Sequence, residues 1–542
     1  LRHTDAGRYD FHELLRQFGA EKLADNHEIA YTHDRHAIYF LTFLTERTED
    51  LEWRRPLDAL AELRPERENL FAAWRWATER GLFNELRSGA TALLQYCNWT
   101  LAQLSGRQLL AETIAAIDKA PADSASLRSL RGMLQWYHAD LASGQNQPES
   151  YLQTLLDSRD LIANSPADYQ TELAVLDTCL GTAVATVGRG EEGAIYMERA
   201  LQYFRTTNHL MRLGKTYYRL ALLRVGEGKL HLAKAAFDQV DRAWQKAGAP
   251  PYPLLYRCTL HQLQGDYIAQ RETVKRAEQL VIDPYTNESN WVVGRGSIEC
   301  ELGEVAVALG ELDQAVAHFQ QAQQVFEMEG QEWLIANTMR HSLGTAFRLQ
   351  GRTTEARRQI DWEYETMRAA GFGQRIAARL HERARLEHDL GNYAQAEDAL
   401  GEALAIAESI DFLYIKALVL CQMGHTASAQ GKPQAIDFYQ QALTAAAKEG
   451  MNGIVLDTIL GIARMAIHGA VEIDVGDEEA VALLALVALH PNSEWETKMQ
   501  ANAALREVEE RMPANLFGAA QQSGREKDLA RTVSKVLTQV FR

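Results

Sequence analysis

Small, apolar and aromatic residues recur along the middle of the chain at a fixed set of offsets. Counting from a small residue, a Gly follows at +7, an Ala at +12, an aromatic or apolar residue at +16 and an Ala at +19. The clearest copy is Gly303, Gly310, Ala315, Phe319 and Ala322. This spacing is typical of amphipathic helices, and the Gly at +7 separates two of them. Each copy therefore predicts an antiparallel helix pair, here called helix A and helix B.

Six further copies keep these offsets at a period of roughly 40 residues, the last with one residue deleted. Their small positions, each with its turn glycine, are Gly181 with Gly188, Ala221 with Gly228, Cys258 with Gly265, Gly344 with Gly351, Ala384 with Gly391, and Gly424 with Gly431. Glycine tolerates the positive φ that ends a helix, and small residues let two helices approach closely. The repeats resemble the tetratricopeptide type. They predict an all-α, right-handed superhelical solenoid of helix-turn-helix repeats.

The segments on either side of the array depart from the repeat pattern. Upstream, residues 82–120 and 124–164 predict two helical pairs with turns at Gly106 and Gly144. Downstream, a further pair begins at Gly461, and the acidic segment 471–479 predicts an enlarged turn within that pair. Residues 494–541 predict two amphipathic helices that are split by Pro513 and cover the last core face.

The first eighty residues carry a more specific pattern. Residues 8–18 read Arg-Tyr-Asp-Phe-His-Glu-Leu-Leu-Arg-Gln-Phe and resemble the end of a winged-helix module. Residues 66–77 match a Glu-x-x-Asn-Leu-x-x-Ala-x-x-Trp-Ala linker helix, and the tail at 516–520 resembles closing helices of the same proteins. These proteins are the bacterial signal-transduction ATPases with numerous domains, the STAND class. In that class the winged helix closes the nucleotide-binding region and leads into a tetratricopeptide array.

The resemblance implies that the chain is the sensor region of a STAND ATPase. A trigger would bind in the concave groove and relieve the autoinhibition of an N-terminal ATPase or effector, which would alone bind ATP or ADP and Mg. Because the chain opens at Leu1 rather than Met, we expect it to be a fragment. The expected domains are a winged-helix remnant (1–25), a helical linker (26–81), divergent N-terminal repeats (82–164), the repeat array (165–450), and a divergent repeat with capping helices (451–542).

The triplet Phe11-His12-Glu13 resembles the Met-His-Asp signature of these ATPases, whose histidine contacts the nucleotide phosphate in the resting state. The resemblance therefore assigns nucleotide sensing in the parent protein to His12. The alternative is that His12 caps or packs a helix. The chain has no G-x-x-x-x-G-K-[ST] phosphate loop, so we expect it to bind no nucleotide by itself.

The net charge and the motif content argue against several classes of function. The formal net charge of −17 opposes binding to phosphate backbones, so nucleic acid is not an expected partner. The longest apolar run, 480–489, is too short to cross a bilayer, so no membrane partner is expected. Five cysteines without a C-x-x-C pair predict buried thiols in a cytoplasmic protein and no metal site. No catalytic motif is present, which predicts a chain that is not an enzyme.

Helix A of a tetratricopeptide repeat faces the concave groove with the residues three before, one after and four after its small position. On this mapping, several consecutive repeats place polar and charged side chains on one wall. The candidate ligand-binding residues are Glu304, His341, Thr345, Arg348, His381, Arg385, His388 and His425. Arginine guanidinium groups bind carboxylates and phosphates through paired hydrogen bonds. The wall therefore predicts a pocket for a peptide, a protein or an anionic metabolite.

Histidine titrates near pH 6.5, so protonation of this wall would add to its fixed positive charges. An anionic ligand would then bind more tightly as the pH falls through that range. The alternative interpretation is a solvated wall that binds nothing, with its cations paired to Glu304 or Asp389. Two other functions also stay open, a free-standing scaffold for protein–protein interaction and the inducer-binding domain of a transcriptional regulator.

Overall fold

The computed structural model describes residues 2–3, 9–10, 13–100, 102–120, 124–142, 147–164, 169–247, 254–281, 292–327, 335–336, 341–469 and 475–540. His12, Gly144 and residues 471–474 of the predicted acidic turn lie outside the described residues. The chain divides into two compact units. Unit 1 comprises Leu1–Asn146 and Gln153–Leu176, and unit 2 comprises Gln147–Leu152 and Asp177–Arg542.

Unit 1 opens with a short antiparallel ribbon, β1 (Arg2–His3) and β2 (Tyr9–Asp10). Its helices are α1 (Glu13–Asp25), α2 (Ile29–Thr45), α3 (Pro56–Leu63), α4 (Arg67–Arg80), α5 (Phe83–Trp99), α6 (Gln103–Asp118) and α7 (Ala125–Asp140). A π-helical turn covers Asp50–Arg54 and a 3₁₀ turn covers Arg64–Glu66. Two more helices, α8 (Pro148–Ala163) and α9 (Gln170–Thr186), include residues of both units.

The linker pattern of residues 66–77 supplies part of the core of unit 1. Its apolar residues Leu70, Ala73 and Ala77 are buried in α4, and the Trp74 indole donates to Thr113 Oγ1 at 3.0 Å. The predicted turn at Gly106 is wrong. Gly106 lies inside α6, where an added Cβ would come within 2.6 Å of Cys97 Sγ. This glycine therefore allows α5 and α6 to pack closely rather than ending a helix.

Unit 2 continues as helices throughout its described residues. They are α10 (Gly190–Thr206), α11 (Leu210–Gly226), α12 (Leu230–Ala247), α13 (Leu254–Gln264), α14 (Tyr267–Val281), α15 (Val292–Leu309), α16 (Leu312–Glu327), α17 (Leu343–Leu349), α18 (Thr353–Ala370), α19 (Gly373–Asp389), α20 (Tyr393–Ser409), α21 (Leu413–Ala429), α22 (Ala435–Glu449), α23 (Asn452–His468), α24 (Asp477–Leu489), α25 (Trp495–Glu509), α26 (Ala514–Arg525) and α27 (Leu529–Gln539). Sequential helices pack on one another, and one apolar core cluster extends from Ala221 to Val536. The predicted all-α fold is confirmed.

The helix pairs follow the repeat offsets read from the sequence. Helix A is α9, α11, α13, α15, α17, α19 and α21 in turn, and each is followed by its helix B. The predicted turn glycines all have positive φ, between 67 and 84°, at 188, 228, 265, 310, 351, 391 and 431. At Gly303 an added Cβ would lie 2.8 Å from the Phe319 ring, which is the +16 partner on helix B. The small position is thus where the two helices touch, as predicted.

Three boundaries differ from the prediction. Residues 494–541 form three helices, α25, α26 and α27, because a second break follows Arg525. Asp477 and the two glutamates after it lie in the first turn of α24, where acidic side chains favour the helix N-terminus. Helix α17 begins at Leu343, after an N-cap at Ser342, so His341 precedes the helix. None of the described helices combines the length and apolarity that a bilayer span requires.

Candidate functional site

The predicted polar residues of α17 and α19 meet acidic residues of α19 and α25 in unit 2. We call the central group the acid–base cluster, and it consists of Thr345, Arg348, Glu382, Arg385 and Glu496. Helix α25 reaches these repeats because Trp495 packs against the turn at Gly310. The carboxylate of Glu496 is thereby placed at the arginines from more than a hundred residues away in sequence.

Arg348 holds two carboxylates at once. Its Nη1 donates to Asp389 Oδ2 at 2.6 Å, and Nη1 and Nη2 contact the two Glu496 oxygens at 3.1 and 2.8 Å. The side chain is only 3% exposed. Burial alone would lower the pKa of Arg348, but Glu496 and Asp389 raise it above its ordinary value. The Arg348 guanidinium therefore stays charged. It binds the Glu496 carboxylate in the bidentate manner typical of arginine.

Arg385 also pairs with the Glu496 carboxylate. Its Nη2 donates to Glu496 Oε2, and its Nη1 lies 3.8 Å from Glu382 Oε1. Although burial alone would raise the pKa of Glu496, the two arginines hold it below its ordinary value. Thr345 donates from Oγ1 to Glu382 Oε2 at 2.7 Å. The cluster thus pairs each arginine with acidic groups, so the fixed positive charges predicted for this wall are balanced here.

Glu304 and His341, which come first in the chain among the predicted ligand-binding residues, lie in buried, acidic surroundings. His341 is 2% exposed and its Nε2 lies 3.5 Å from Glu494 Oε1, which also accepts a 2.8 Å hydrogen bond from Tyr267 OH. Glu304 accepts from Gln262, and burial raises the pKa of its carboxyl. Burial and the neighbouring Glu304 raise the pKa of Glu301 to about 8. Glu304 and His341 therefore belong to a buried polar network rather than to a solvated wall.

The histidines differ from one another in their surroundings. His381 Nδ1 lies 3.3 Å from Glu382 Oε1, and both side chains are buried. His388 Nδ1 is 3.2 Å from Thr426 Oγ1, and burial, together with the nearby His425, lowers the pKa of His388 to about 4. The expectation that His388 becomes protonated near pH 6.5 is therefore wrong, since desolvation disfavours its charged form.

His425 belongs to a separate trio of donor atoms on α21 and α23. Its Nε2 lies 3.5 Å from Cys421 Sγ and 3.5 Å from Asp457 Oδ1, and Cys421 Sγ is 3.6 Å from Asp457 Oδ2. Its Nδ1 lies 3.0 Å from Tyr439 OH. Tyr439 can reach this place because Gly424 and Gly461 flank its ring, and an added Cβ at either would come within 2.5 Å of it.

A cavity of about 430 Å³ opens beside both groups of residues in unit 2. Its lining includes Arg385, His388, His425, Asp457, Arg464 and Glu496. The structure therefore brings Arg385, His388 and His425 together at one cavity, with Arg348 behind Arg385. Thr345 belongs to the acid–base cluster, and His381 contacts the cluster through Glu382. Glu304 and His341 lie in the buried polar network with Gln262 and Glu494.

The sequence-based mapping did not find the acidic partners of these residues. The seven repeats recognised from the offsets end with α22, whereas α23 and α25 continue the A-helix series with Asp457 and Glu496. Extending the register from Gly461 by one period gives Ala501, a fully buried residue of α25. That extension would have placed Glu496 on a candidate A helix. It would not have shown that its carboxylate reaches Arg348.

No protein-family model matches the sequence, and no curated protein matches it. A Rap protein complexed with competence and sporulation factor is similar in structure, with a TM-score of 0.45 and 13% identity over 68% of this chain and 97% of that chain. A STAND protein with a tetratricopeptide repeat sensor, from Pyrococcus horikoshii, has a TM-score of 0.36 and 12% identity over 86% of this chain and 74% of that chain. These likenesses are too distant to assign a family or a ligand.

Proposed function

We propose that unit 2 is a non-catalytic sensor whose trigger is an anionic ligand, bound through Arg348 and Arg385. The proposal rests on one observation: the guanidinium groups of Arg348 and Arg385 both donate hydrogen bonds to the single carboxylate of Glu496. Two arginine forks on one carboxylate form a site complementary to any carboxylate or phosphate of similar size. The adjoining cavity of about 430 Å³ gives such a ligand room beside Arg385.

Glu496 then acts as an internal competitor of the trigger. A trigger that pairs with Arg348 and Arg385 has to displace the Glu496 carboxylate, which belongs to the first turn of α25. The ligand favours the displaced state because it contacts the arginines only in that state. Binding would therefore loosen α25 from α17 and α19, and that loosening is the conformational signal.

We place this sensor in a STAND ATPase, in which trigger binding relieves the autoinhibition of an ATPase or effector N-terminal to Leu1. ATP or ADP and Mg would bind there, and His12 would sense the nucleotide in the parent protein. The coding sequence upstream of Leu1 should then contain a phosphate loop. In the full protein, an activating trigger should raise the rate of ATP hydrolysis. A parent protein without a phosphate loop would contradict this placement but leave the anion site untouched.

The anion site is tested with two small probes, N-acetylglutamate as a mimic of the Glu496 side chain and inorganic phosphate. Glu496→Gln removes the competing charge, so calorimetric titration should show binding at least about 10-fold tighter than in the unchanged chain. Arg348→Gln combined with Arg385→Gln should abolish binding of both probes. Glu507→Gln is the matched control, since Glu507 lines the same cavity but lies 4.0 Å from His468. Equal affinities in the arginine variant and the unchanged chain would disprove the site.

A scaffold for protein partners is the second candidate function, and α2 in unit 1 favours it. Ile29, Tyr31, Ile38 and Tyr39 are large apolar or aromatic side chains of this helix that stay exposed. Exposed groups of this kind often mark protein interfaces. If this function is correct, Tyr31→Ser with Tyr39→Ser should abolish partner binding and leave the anion probes unaffected.

A further inference from the structure

We propose that Cys421, His425 and Asp457 bind a divalent transition-metal ion of the zinc type. One thiol, one imidazole and one carboxylate offer ligand atoms that all lie within 4.8 Å of one another. Sulfur, nitrogen and oxygen donors of this kind are the protein ligands of Zn²⁺. Ca²⁺ and Mg²⁺ prefer oxygen ligands alone, so the thiol and the imidazole disfavour them here.

The spacing of the thiol, imidazole and carboxylate is close to that around a tetrahedral ion. A metal about 2.3 Å from sulfur and about 2.0 Å from nitrogen and oxygen separates its ligand atoms by about 3.3–3.6 Å. Cys421 Sγ lies 3.5 Å from His425 Nε2 and 3.6 Å from Asp457 Oδ2, and His425 Nε2 lies 3.5 Å from the other carboxylate oxygen, Asp457 Oδ1. With a single carboxylate oxygen as the ligand, the three donor atoms lie within 4.8 Å of one another, so the Asp457 side chain has to turn slightly to bring that oxygen to the spacing of a bound ion.

Helix geometry explains how the trio is positioned. Cys421 and His425 are four residues apart on α21, so they lie on the same face one turn from each other. Asp457 comes from α23, the next A helix along the chain, which packs against α21. The single Cys-x-x-x-His pair and a distant aspartate match no usual zinc spacing. This is why the sequence alone predicted no metal site.

Groups around the trio orient its ligands as metal sites require. When His425 Nδ1 carries the proton it donates to Tyr439 OH at 3.0 Å, which leaves the lone pair of Nε2 directed at Cys421 and Asp457. Thr458 Oγ1 donates to Cys421 Sγ at 3.4 Å, and Thr497 Oγ1 is 3.5 Å from Asp457 Oδ1. A nucleophilic Cys-His-Asp relay would instead need the acid on the other imidazole nitrogen. Here both Cys421 and Asp457 are near Nε2, which favours a metal site.

Three protein ligands leave one coordination position open. His425 and Asp457 line the cavity of about 430 Å³, while Cys421 is buried behind them. The open position therefore faces the cavity, where water or a small anion would complete the tetrahedron. The guanidinium groups of Arg385 and Arg464 line the same cavity and would favour an anion there. This inference does not depend on the proposed trigger, because the ion needs neither Arg348 nor displacement of Glu496.

The test uses the full chain, stripped with a chelator, and the metal ions alone. Co²⁺ should bind with one ion per chain and give the thiolate-to-cobalt charge-transfer absorption of a cysteine ligand, and Zn²⁺ should displace it. Cys421→Ser should abolish that absorption, and Asp457→Asn should weaken Zn²⁺ binding at least about 100-fold. Tyr439→Phe, which removes only the orienting hydroxyl, should weaken binding roughly 10–100-fold.

Cys300→Ser is the matched control, because Cys300 is also a buried thiol three residues before the small position of its repeat. That variant should bind Co²⁺ and Zn²⁺ as the unchanged chain does. Circular dichroism checks that each variant folds. If the variants fail to fold, the spectrum of the unchanged chain decides. Absence of the charge-transfer absorption there, or its persistence in folded Cys421→Ser, would overturn the proposal.

Discussion

At the scale of single residues, the buried ion pair of Glu363 and Arg379 illustrates how unit 2 depends on exact pairing of charges. Arg379 Nη1 donates to Glu363 Oε2 at 2.8 Å, and both side chains are 0% exposed. Replacing Arg379 with Met leaves the Glu363 carboxylate buried without its main partner. We expect the free energy of unfolding to fall by about 3–5 kcal/mol, measured by urea denaturation.

The double variant Glu363→Leu with Arg379→Met should be more stable than Arg379→Met alone, because the Glu363 charge is then no longer left buried without its partner. Arg368→Met is the control, since Arg368 pairs with Glu365 at an exposed site of α18. It should leave the urea midpoint unchanged. A double variant less stable than the single one would show that the pair contributes through packing rather than through charge.

The raised pKa of Glu301 predicts a pH dependence of stability. Burial and Glu304 raise it from 4.5 to about 8, so between these values the folded chain holds a proton that the unfolded chain has lost. Stability therefore decreases as the pH rises through this window. Glu301→Gln should flatten the decrease between pH 5 and 8, measured by thermal unfolding at several pH values. Glu355→Gln on the exposed face of α18 should leave the slope unchanged.

Individual site residues were predictable only in part. Arg348 and Arg385 could be placed on one surface from the repeat offsets, because helix A presents the same positions in every copy. Glu496 could not be joined to them, since its distance from Arg348 depends on how many repeats separate them and on how each packs. The pKa of His388 was likewise beyond the sequence, because burial of a side chain near the end of a helix depends on its neighbours.

At the scale of helices, the close contact between A and B within a repeat can be tested at its small position. Gly303→Ala adds a Cβ that would lie 2.8 Å from the Phe319 ring. The aromatic ring and α16 would have to shift, so we expect a loss of about 1–3 kcal/mol in unfolding free energy. Urea denaturation followed by circular dichroism measures this loss.

Gly401→Ala is the matched control for that substitution. Gly401 lies inside α20, and an added Cβ meets nothing within 4 Å. There alanine should stabilise the chain by about 0.5–1 kcal/mol, because glycine is the poorer helix former. Stabilisation by both substitutions would show that the small position of the repeat tolerates a side chain.

Helices were predicted well where the repeat held and poorly where it did not. Turn glycines such as Gly310 and Gly391 follow helix ends where the backbone takes a positive φ. Both helix ends were predicted correctly. Gly106 is buried between α5 and α6, and a glycine required for close packing looks the same in sequence as one required for a turn. The break after Arg525 carries neither glycine nor proline at the turn itself, so the third C-terminal helix was missed.

At the scale of the whole molecule, the C-terminal helices stabilise repeats far from them in sequence. Glu494 and Glu496 contact Tyr267, His341, Arg348 and Arg385. Truncation after residue 490 should therefore reduce amide protection from hydrogen exchange in α17 and α19. Truncation after residue 527, which removes α27, should reduce protection in α22 instead, since α27 packs there. Equal protection of α17 in both truncated chains would contradict this role of α25.

The cluster also has a consequence for synthesis on the ribosome. Arg348 and Asp389 are 41 residues apart, whereas Arg348 and Glu496 are 148 residues apart. At about 5–20 residues per second, Arg348 is made roughly 7–30 s before Glu496. Glu496 follows Arg385 by 111 residues, so for roughly 6–22 s the nascent repeats have both arginines but not the carboxylate that joins them. The growing chain therefore passes through an arginine site that Glu496 has not yet closed, and any cellular anion that fits it competes only with Asp389 and Glu382 until α25 has been translated.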